Sequence, residues 1–222
     1  MSRRSGCAPV SSPTTRTGEA STAGVPTGNT YDKYGSRNPL VRRVMAGFDS
    51  ALDELWERAS PQSVLDVGCG EGVLTERFAE RLGDGRVVGI DLDDPKLRAE
   101  WERRRRANLE FRAEDATSLS FGDDEFDAAT AIEVLEHVPD PEATLSEMVR
   151  VARRRLIVSV PREPLWRALN MARGAYWRSL GNTPGHVNHW SRRAFVSFLE
   201  RHGTVEEVRS PFPWTMLLVR VG

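Results

Sequence analysis

The sequence has very little cysteine, no long apolar run and no excess of charge of either sign. Its 222 residues include two cysteines, Cys7 and Cys69, and the 31 basic residues nearly balance the 32 acidic ones, which leaves a formal net charge of -1. Two cysteines with no framework spacing are typical of a protein from a reducing compartment. The balanced charge excludes a global basic field, so no nucleic-acid partner is expected.

The N-terminal segment lacks the apolar core of a signal peptide or membrane span. Arg3 and Arg4 are followed by Ser, Thr, Gly and Pro, and this favours a cytoplasmic location. Residues 1–30 hold almost no large apolar side chains and cannot offset the entropy of ordering. We therefore expect a disordered tail, followed by a single domain over residues 31–222.

Within that domain, apolar residues recur at helical spacing from Pro39 to Ala59, which predicts an amphipathic helix, or two, leading into the core. The spacing of the remaining motifs divides the domain into four parts. These are a helical cap over 31–60, a core that binds a cofactor over 61–160, a substrate lid over 161–190, and a terminal helix with a β-hairpin over 191–222.

Short apolar runs in the core alternate with helical patterns. The predicted strands are Ser63–Val67, Arg86–Ile90, Leu109–Phe111, Phe126–Ile132 and Arg155–Val160, and the predicted helices between them cover 71–82, 95–106 and 141–152. This alternation predicts an α/β fold with a Rossmann-like, doubly wound parallel sheet. After Pro161 the pattern predicts a lid helix over 164–180, a helix over 191–202 and strands at 205–209 and 215–221.

The first strand leads into a turn with glycine at every second position, Gly68, Gly70 and Gly72. Such a turn lets the backbone approach a ligand closely and points helix N–H groups at an anionic part of it. Asp91 ends the second strand about 20 residues later, where a carboxylate can hold two ribose hydroxyls. Asp115 follows the third strand and can accept a hydrogen bond from the exocyclic amine of a purine.

A nicotinamide dinucleotide would use the same glycines and Asp91, so a further residue must discriminate. Asp66, just before the turn, suits a neighbouring pyrophosphate poorly and an ammonium group well. The glycines also lack the six-residue dinucleotide spacing. A ligand that combines adenosine, an amino group and a carboxylate is S-adenosylmethionine.

Five motifs carry a resemblance that covers roughly residues 60 to 160. They are Leu65-Asp-Val-Gly-Cys-Gly-Glu-Gly72, Val88-Gly-Ile-Asp91, Glu114-Asp-Ala116, Phe126-Asp127 and Val134-Leu-Glu-His-Val-Pro-Asp-Pro141. The sequence resembles the class I S-adenosylmethionine-dependent methyltransferases, and within them the quinone-biosynthesis enzymes. The resemblance implies seven strands with the last pair reversed. It also implies a set of cofactor-binding residues: Asp66, Gly68, Cys69, Gly70, Asp91, Leu92, Asp115, Ala116 and Glu133.

The segment after the fourth strand admits two interpretations. Glu133, Glu136 and His137, with His186 and His189 farther on, resemble the metal-binding pattern of small-RNA 3′-terminal 2′-O-methyltransferases and of some quinone O-methyltransferases, which includes a His before an aromatic residue and Ser or Thr, here His189-Trp190-Ser191. The candidate divalent-metal ligands are then Glu133, Glu136, His137 and His189. The same Leu-Glu-His-Val run also occurs in metal-independent relatives, where it frames the pocket, and this is the main expectation. His137 and His189 are then candidates to accept a proton.

The lid is expected to carry the information about the acceptor. Leu165, Leu169, Ala172 and Tyr176 form one stripe of its predicted helix, with Trp166, Arg173 and Trp177 beside it. One interpretation is a helix packed on the sheet edge with arginine stems reaching water. The other is an apolar pocket whose arginines meet an anionic group, or a surface that touches a membrane peripherally to reach a lipid.

The expected activity is methyl transfer from S-adenosylmethionine to a small, lipidic or quinone-like acceptor. No residue distinguishes O-, C- and N-methylation. The alternatives are a metal-assisted RNA 2′-O-methyltransferase and a module that binds S-adenosylmethionine without catalysis. The basic run Arg103–Arg106 is flanked by glutamates and is interpreted as a solvated helix face.

Overall fold

A computed structural model of the chain describes residues 38–172 and 174–222. The predicted disordered tail, residues 1–30, lies outside the described residues. Helix α1 spans Pro39–Ala59, as predicted. It begins at Asn38, whose side-chain oxygen accepts a hydrogen bond from the Leu40 N–H at 2.9 Å, and a proline occupies the first helical position.

A single sheet of seven strands forms the centre of the molecule, in the order β3-β2-β1-β4-β5-β7-β6. The strands are β1 Ser63–Val67, β2 Arg86–Asp91, β3 Leu109–Ala113, β4 Phe126–Ile132, β5 Ala152–Pro161, β6 Thr204–Arg209 and β7 Trp214–Arg220. Strands β1 to β5 pair in parallel, whereas β7 runs antiparallel to both β5 and β6. The Rossmann-like sheet with a reversed terminal strand is therefore confirmed.

Five further helices connect the strands. They are α2 Val73–Leu82, α3 Pro95–Arg103, α4 Pro141–Val151, α5 Leu165–Ala172 and α6 Arg192–Leu199. Helices α3 and α4 each begin with proline behind an aspartate cap, Asp94 and Asp140 respectively. None of the helices in the described part of the chain combines the length and apolar character needed to cross a membrane.

The central strands are buried on both faces, which explains their nearly continuous apolar sequences. On β1, Val64 packs in the layer with α1, and its neighbour Leu65 packs in the opposite layer with α4 and α6. Leu217 and Leu218 of β7 divide between the two layers in the same way. This arrangement buries the strands and leaves the loops at their carboxyl ends to form a site.

Four predicted helices are shorter than expected, and one of them is α6, which ends at Leu199 instead of continuing to residue 202. The lid helix ends at Ala172 instead of continuing to residue 180, and only a 3-10 turn, Trp177–Ser179, follows. Gly174 and Tyr176 both have positive φ, 78° and 57°, which a continuous helix does not allow. Likewise α2 starts after Gly72, which has a φ of 81°, and α3 stops at Arg103.

Candidate functional site

The turn between β1 and α2 is closely packed on two sides and open on the third. All three of its glycines have positive φ, from 55° to 81°. A Cβ at Gly68 would lie 2.5 Å from Val134, and one at Gly72 would lie 2.6 Å from the Phe111 ring. A Cβ at Gly70 would meet nothing within 4 Å. Gly70 therefore marks the face of the turn that a ligand can approach.

Asp91 lies directly against this open glycine. Its Oδ2 accepts a hydrogen bond from the Gly70 N–H at 2.7 Å, and its Oδ1 accepts one from the Leu92 N–H at 2.8 Å. Burial raises the pKa of the Asp91 carboxyl, and the two N–H groups partly oppose that shift. The structure thus brings together the glycine turn and the predicted ribose-binding carboxylate.

Asp115 and Ala116 belong to a turn that is tied to the end of β2. The Glu114 N–H donates to the Asp91 carbonyl at 3.0 Å. The Asp115 Oδ1 accepts hydrogen bonds from the N–H and the hydroxyl of Thr117, at 2.9 and 2.7 Å, so its side chain has a defined direction. Asp91 and Asp115 consequently lie along one edge of the sheet, as an adenosine site requires.

Asp66 has contacts that the sequence pattern does not indicate. Its carboxylate is only 3% exposed and accepts hydrogen bonds from the Thr75 hydroxyl at 2.7 Å and the Thr130 hydroxyl at 2.6 Å. Burial raises its pKa to about 6 against the lowering effect of both hydroxyls. The contacts seen are thus with α2 and β4, whereas the predicted partner was a ligand ammonium group.

Cys69 lies beside Asp66 in the same turn. Burial and the neighbouring carboxylates raise the pKa of its thiol well above the ordinary value. A protonated thiol is a poor nucleophile. Cys69 therefore contributes backbone and packing to the turn, and its N–H donates to the Ile90 carbonyl at 2.9 Å.

Trp101 is a site residue that the sequence does not single out. Its indole N–H donates to the Gly70 carbonyl at 2.8 Å, and its ring stacks on Phe111 at 5.5 Å with an interplanar angle of 4°. Phe111 in turn fills the space beside Gly72. Helix α3 thereby holds the glycine turn from outside. The only sequence signal was an aromatic residue in an otherwise charged helix.

Glu133 lies where the ends of β4, β5 and β7 meet. It has a φ of 58°, and its N–H donates to the Ser159 carbonyl at 3.1 Å. Its Oε1 accepts a hydrogen bond from the indole N–H of Trp214 at 2.5 Å. A left-handed backbone at a strand end is typical of functional turns, and here it directs the following residue, Val134, over Gly68.

Three polar side chains converge beyond this turn. One ligand atom each of Glu136, His137 and His186 lies within 4.8 Å of the others. Glu136 is 2% exposed and His186 is 8% exposed. His137 meets His186 edge-on at 4.7 Å, and Trp166 lies nearly parallel to His186 at 6.3 Å. Glu136, His137 and His186 can together hold a proton or a cation. They follow β4, whereas Asp91 ends β2 on the other side of β1.

The tautomer of His137 follows from one contact. Its Nδ1 is 3.0 Å from the Gly185 carbonyl oxygen. Because a carbonyl can only accept, we assign the proton of the neutral ring to Nδ1. Nε2 is then the nitrogen that can accept a proton.

His189 does not belong to this group. It is exposed, and its Nε2 lies 2.7 Å from the Asn182 side-chain oxygen. The Val187 and Asn188 N–H groups both donate to the Glu136 carbonyl, which turns His186 inward. The predicted metal ligands were Glu133, Glu136, His137 and His189. In the structure His186, and not His189, lies beside Glu136 and His137. Glu133 lies outside this group, and its carboxylate accepts a hydrogen bond from Trp214.

The basic run at the end of α3 is neutralised by neighbouring carboxylates. Arg105 pairs with Glu102, and Arg106 pairs with Glu80. Exposed pairs of this kind contribute little stability, but they agree with the interpretation of a solvated helix face.

Residues 65–158 match the family described as the methyltransferase domain. The chain is similar to demethylmenaquinone methyltransferase of Roseiflexus sp., with 35% identity over 149 residues that cover 58% of this chain and 63% of the relative. It is also similar to ubiquinone biosynthesis O-methyltransferase of Methylococcus capsulatus, with 36% identity over 95 residues, 41% of this chain and 39% of the relative. The chain spans less than two thirds of the length of these curated relatives.

One solved structure extends the likeness to the whole fold. Magnesium protoporphyrin IX methyltransferase from Synechocystis, solved with bound SAH, matches with a TM-score of 0.63. The match covers 85% of this chain and 90% of that one at 18% identity. At this identity the likeness concerns the fold alone.

Proposed function

Because this chain belongs to the class I S-adenosylmethionine-dependent methyltransferases, we propose that it transfers a methyl group from S-adenosylmethionine to a small, quinone-like acceptor. The observation that carries the proposal is the junction of Gly70 and Asp91. There an open backbone and an oriented carboxylate meet at 2.7 Å. Asp115 lies on the same edge of the sheet and adds a second carboxylate acceptor, which suits the hydroxyls and the exocyclic amine of adenosine.

The residues present fit this cofactor. The N–H groups at the start of α2 suit a carboxylate, and the Asp91 oxygens suit ribose hydroxyls. When bound, S-adenosylmethionine supplies an electrophilic methyl group. The protein then has to hold the acceptor atom in line with that methyl and exclude competing nucleophiles.

His137 is the proposed proton acceptor. Its Nδ1 contacts the Gly185 carbonyl and carries the proton of the neutral ring, so Nε2 is the basic nitrogen that would take a proton from an acceptor hydroxyl. The sequence expectation for His189 in the same role has less support, because that ring is exposed and its Nε2 contacts Asn182.

Aromatic side chains support a flat acceptor. Trp166 of the lid contacts Trp214 at 5.8 Å as well as His186. Both curated relatives named above are quinone-biosynthesis enzymes by name. Trp177 and Leu180 of the lid are 64% and 67% exposed, which supports the prediction that a lipidic acceptor is reached at a membrane surface.

The test is a transfer assay with donor carrying a labelled methyl group and a panel of hydroquinones, catechols and their O-methylated analogues. We expect label to enter at least one hydroquinone or catechol, and substitution of His137→Gln to reduce the rate while donor binding persists. Donor binding without transfer to any acceptor would instead favour the alternative of a non-catalytic module.

A second candidate is metal-assisted transfer to a hydroxyl, which the group of Glu136, His137 and His186 favours. Two imidazoles and one carboxylate form the ligand set of open zinc and related sites. A bound cation would lower the pKa of the acceptor hydroxyl. This candidate predicts stoichiometric metal in the purified protein that is lost in His186→Ala and kept in His189→Ala. The ion-paired arginines of α3 lend no support to an RNA acceptor.

A further inference from the structure

Asn188 of the lid forms several hydrogen bonds with the turn that carries Glu136 and His137. The side-chain amide of Asn188 donates to the Leu135 carbonyl at 3.0 Å and to the Val138 carbonyl at 2.7 Å. Its backbone N–H donates to the Glu136 carbonyl at 3.1 Å. An amide NH₂ has two hydrogens, and both are used here.

Two more hydrogen bonds complete this connection. The Val187 N–H donates to the Glu136 carbonyl at 2.8 Å, and the Nδ1 of His137 contacts the Gly185 carbonyl. The segments 135–138 and 185–188 are about 50 residues apart in the chain. His186 lies between the attached residues, so the same contacts set its position relative to Glu136 and His137.

We propose that Asn188 is a positioning residue that holds His186 beside Glu136 and His137 and thereby fixes the acceptor side of the site. The inference rests on the proposed function for its effect on turnover. The contacts themselves do not depend on the identity of the acceptor.

The chemistry of the amide makes the inference specific. Replacing Asn188 with aspartate keeps the shape but turns the amide nitrogen, which carries both donor hydrogens, into an oxygen that faces two carbonyl oxygens. Removing hydrogen-bond partners from partly buried carbonyls and facing them with an oxygen is unfavourable, so the segment 185–188 should move away from the turn. A misplacement of about 1 Å near reacting groups lowers a rate by about 100-fold.

The chain offers a matched control at the opposite edge of the sheet. The side-chain amide of Asn108 also donates to two carbonyls, those of Ala79 at 2.9 Å and Gly85 at 3.0 Å. Asn108 directly precedes β3, so it lies at the amino ends of the strands. Asn108→Asp therefore makes the same chemical change without touching the site.

The experiment compares full-length Asn188→Asp and Asn108→Asp with the wild type. For Asn188→Asp we expect faster hydrogen exchange at the Val187 and Asn188 amides and shifted imidazole resonances of His137 and His186. We also expect kcat to fall by about 100-fold, while the affinity for S-adenosylmethionine changes by less than about twofold. Asn108→Asp should leave all four quantities as in the wild type, although its unfolding midpoint falls.

If Asn188→Asp does not fold, Asn188→Ala removes the donors without the repulsion and is expected to show the same changes in exchange and resonances.

The inference is overturned if folded Asn188→Asp or Asn188→Ala keeps the wild-type exchange and imidazole resonances. It is also overturned if Asn108→Asp reproduces the loss of kcat. A wild-type protein that transfers no methyl group would refute the proposed function. The resonances and amide exchange would still decide whether Asn188 holds His186 in place.

Discussion

Substitution of Trp101→Phe should weaken binding of the methyl donor, because the indole holds the glycine turn through the Gly70 carbonyl. The change removes one hydrogen bond, from the indole N–H to the Gly70 carbonyl at 2.8 Å, and keeps a six-membered ring against Phe111. A neutral hydrogen bond of this kind contributes about 1 kcal/mol net. If the glycine turn loses that amount of preorganisation, donor affinity falls about fivefold.

A second tryptophan provides the control. Trp56 belongs to α1 and is 7% exposed, against 6% for Trp101. Its ring stacks on Phe78 of α2 at 4.5 Å. Trp56→Phe makes the same truncation far from the turn. Both variants should lose comparable stability in chemical denaturation, but only Trp101→Phe should bind S-adenosylmethionine more weakly by calorimetry. Equal donor affinity in Trp101→Phe and wild type, or equal weakening in Trp56→Phe, would refute the reasoning.

Two further predictions concern the glycine turn and the residue before it. Gly70→Ala and Gly83→Ala, with φ of 55° and 60° and open space around both Cβ positions, should each cost about 1 kcal/mol of stability. Only Gly70→Ala should lose donor affinity in a binding titration, and an equal loss in both variants would contradict the site. The carboxyl of Asp66 has a pKa raised from 3.8 to about 6, so the folded state binds the extra proton between these values. The free energy of unfolding should then decrease by about 2 kcal/mol from pH 4 to pH 7 relative to Asp66→Asn, and a pH-independent difference between the two proteins would exclude this burial effect.

Local sequence signals were sufficient for the sheet and for α1. The predicted bounds of β1 and α1 agree with the structure because each apolar run is bordered by glycine, proline or a capping side chain, and those of β4 agree because Glu125 and Glu133 flank its apolar run. The order of motifs along the parallel strands also placed Asp91 beside the glycine turn. Both inferences depend on residues that are close in sequence or on a general rule of sheet geometry.

The parts that local signals did not predict depend on long-range contacts. The hydrogen bond from Trp101 to Gly70 joins residues 31 positions apart, and the contacts of Asn188 span about 50. Helical periodicity continues through the lid to residue 180, yet the positive φ of Gly174 and Tyr176 ends the helix early. The choice between His186 and His189 likewise follows from backbone hydrogen bonds to Glu136, which no spacing rule reports.

The most direct test of the central claim is a calorimetric titration of S-adenosylmethionine into wild-type protein and Asp91→Ala. The wild type should bind the donor at one site per chain. Removal of the Asp91 carboxylate eliminates two ribose contacts of about 1.5 kcal/mol or more each, which predicts at least about 100-fold weaker binding. Undiminished binding by Asp91→Ala, or no binding by the wild type, would contradict the assignment of the donor site to the Gly70–Asp91 junction.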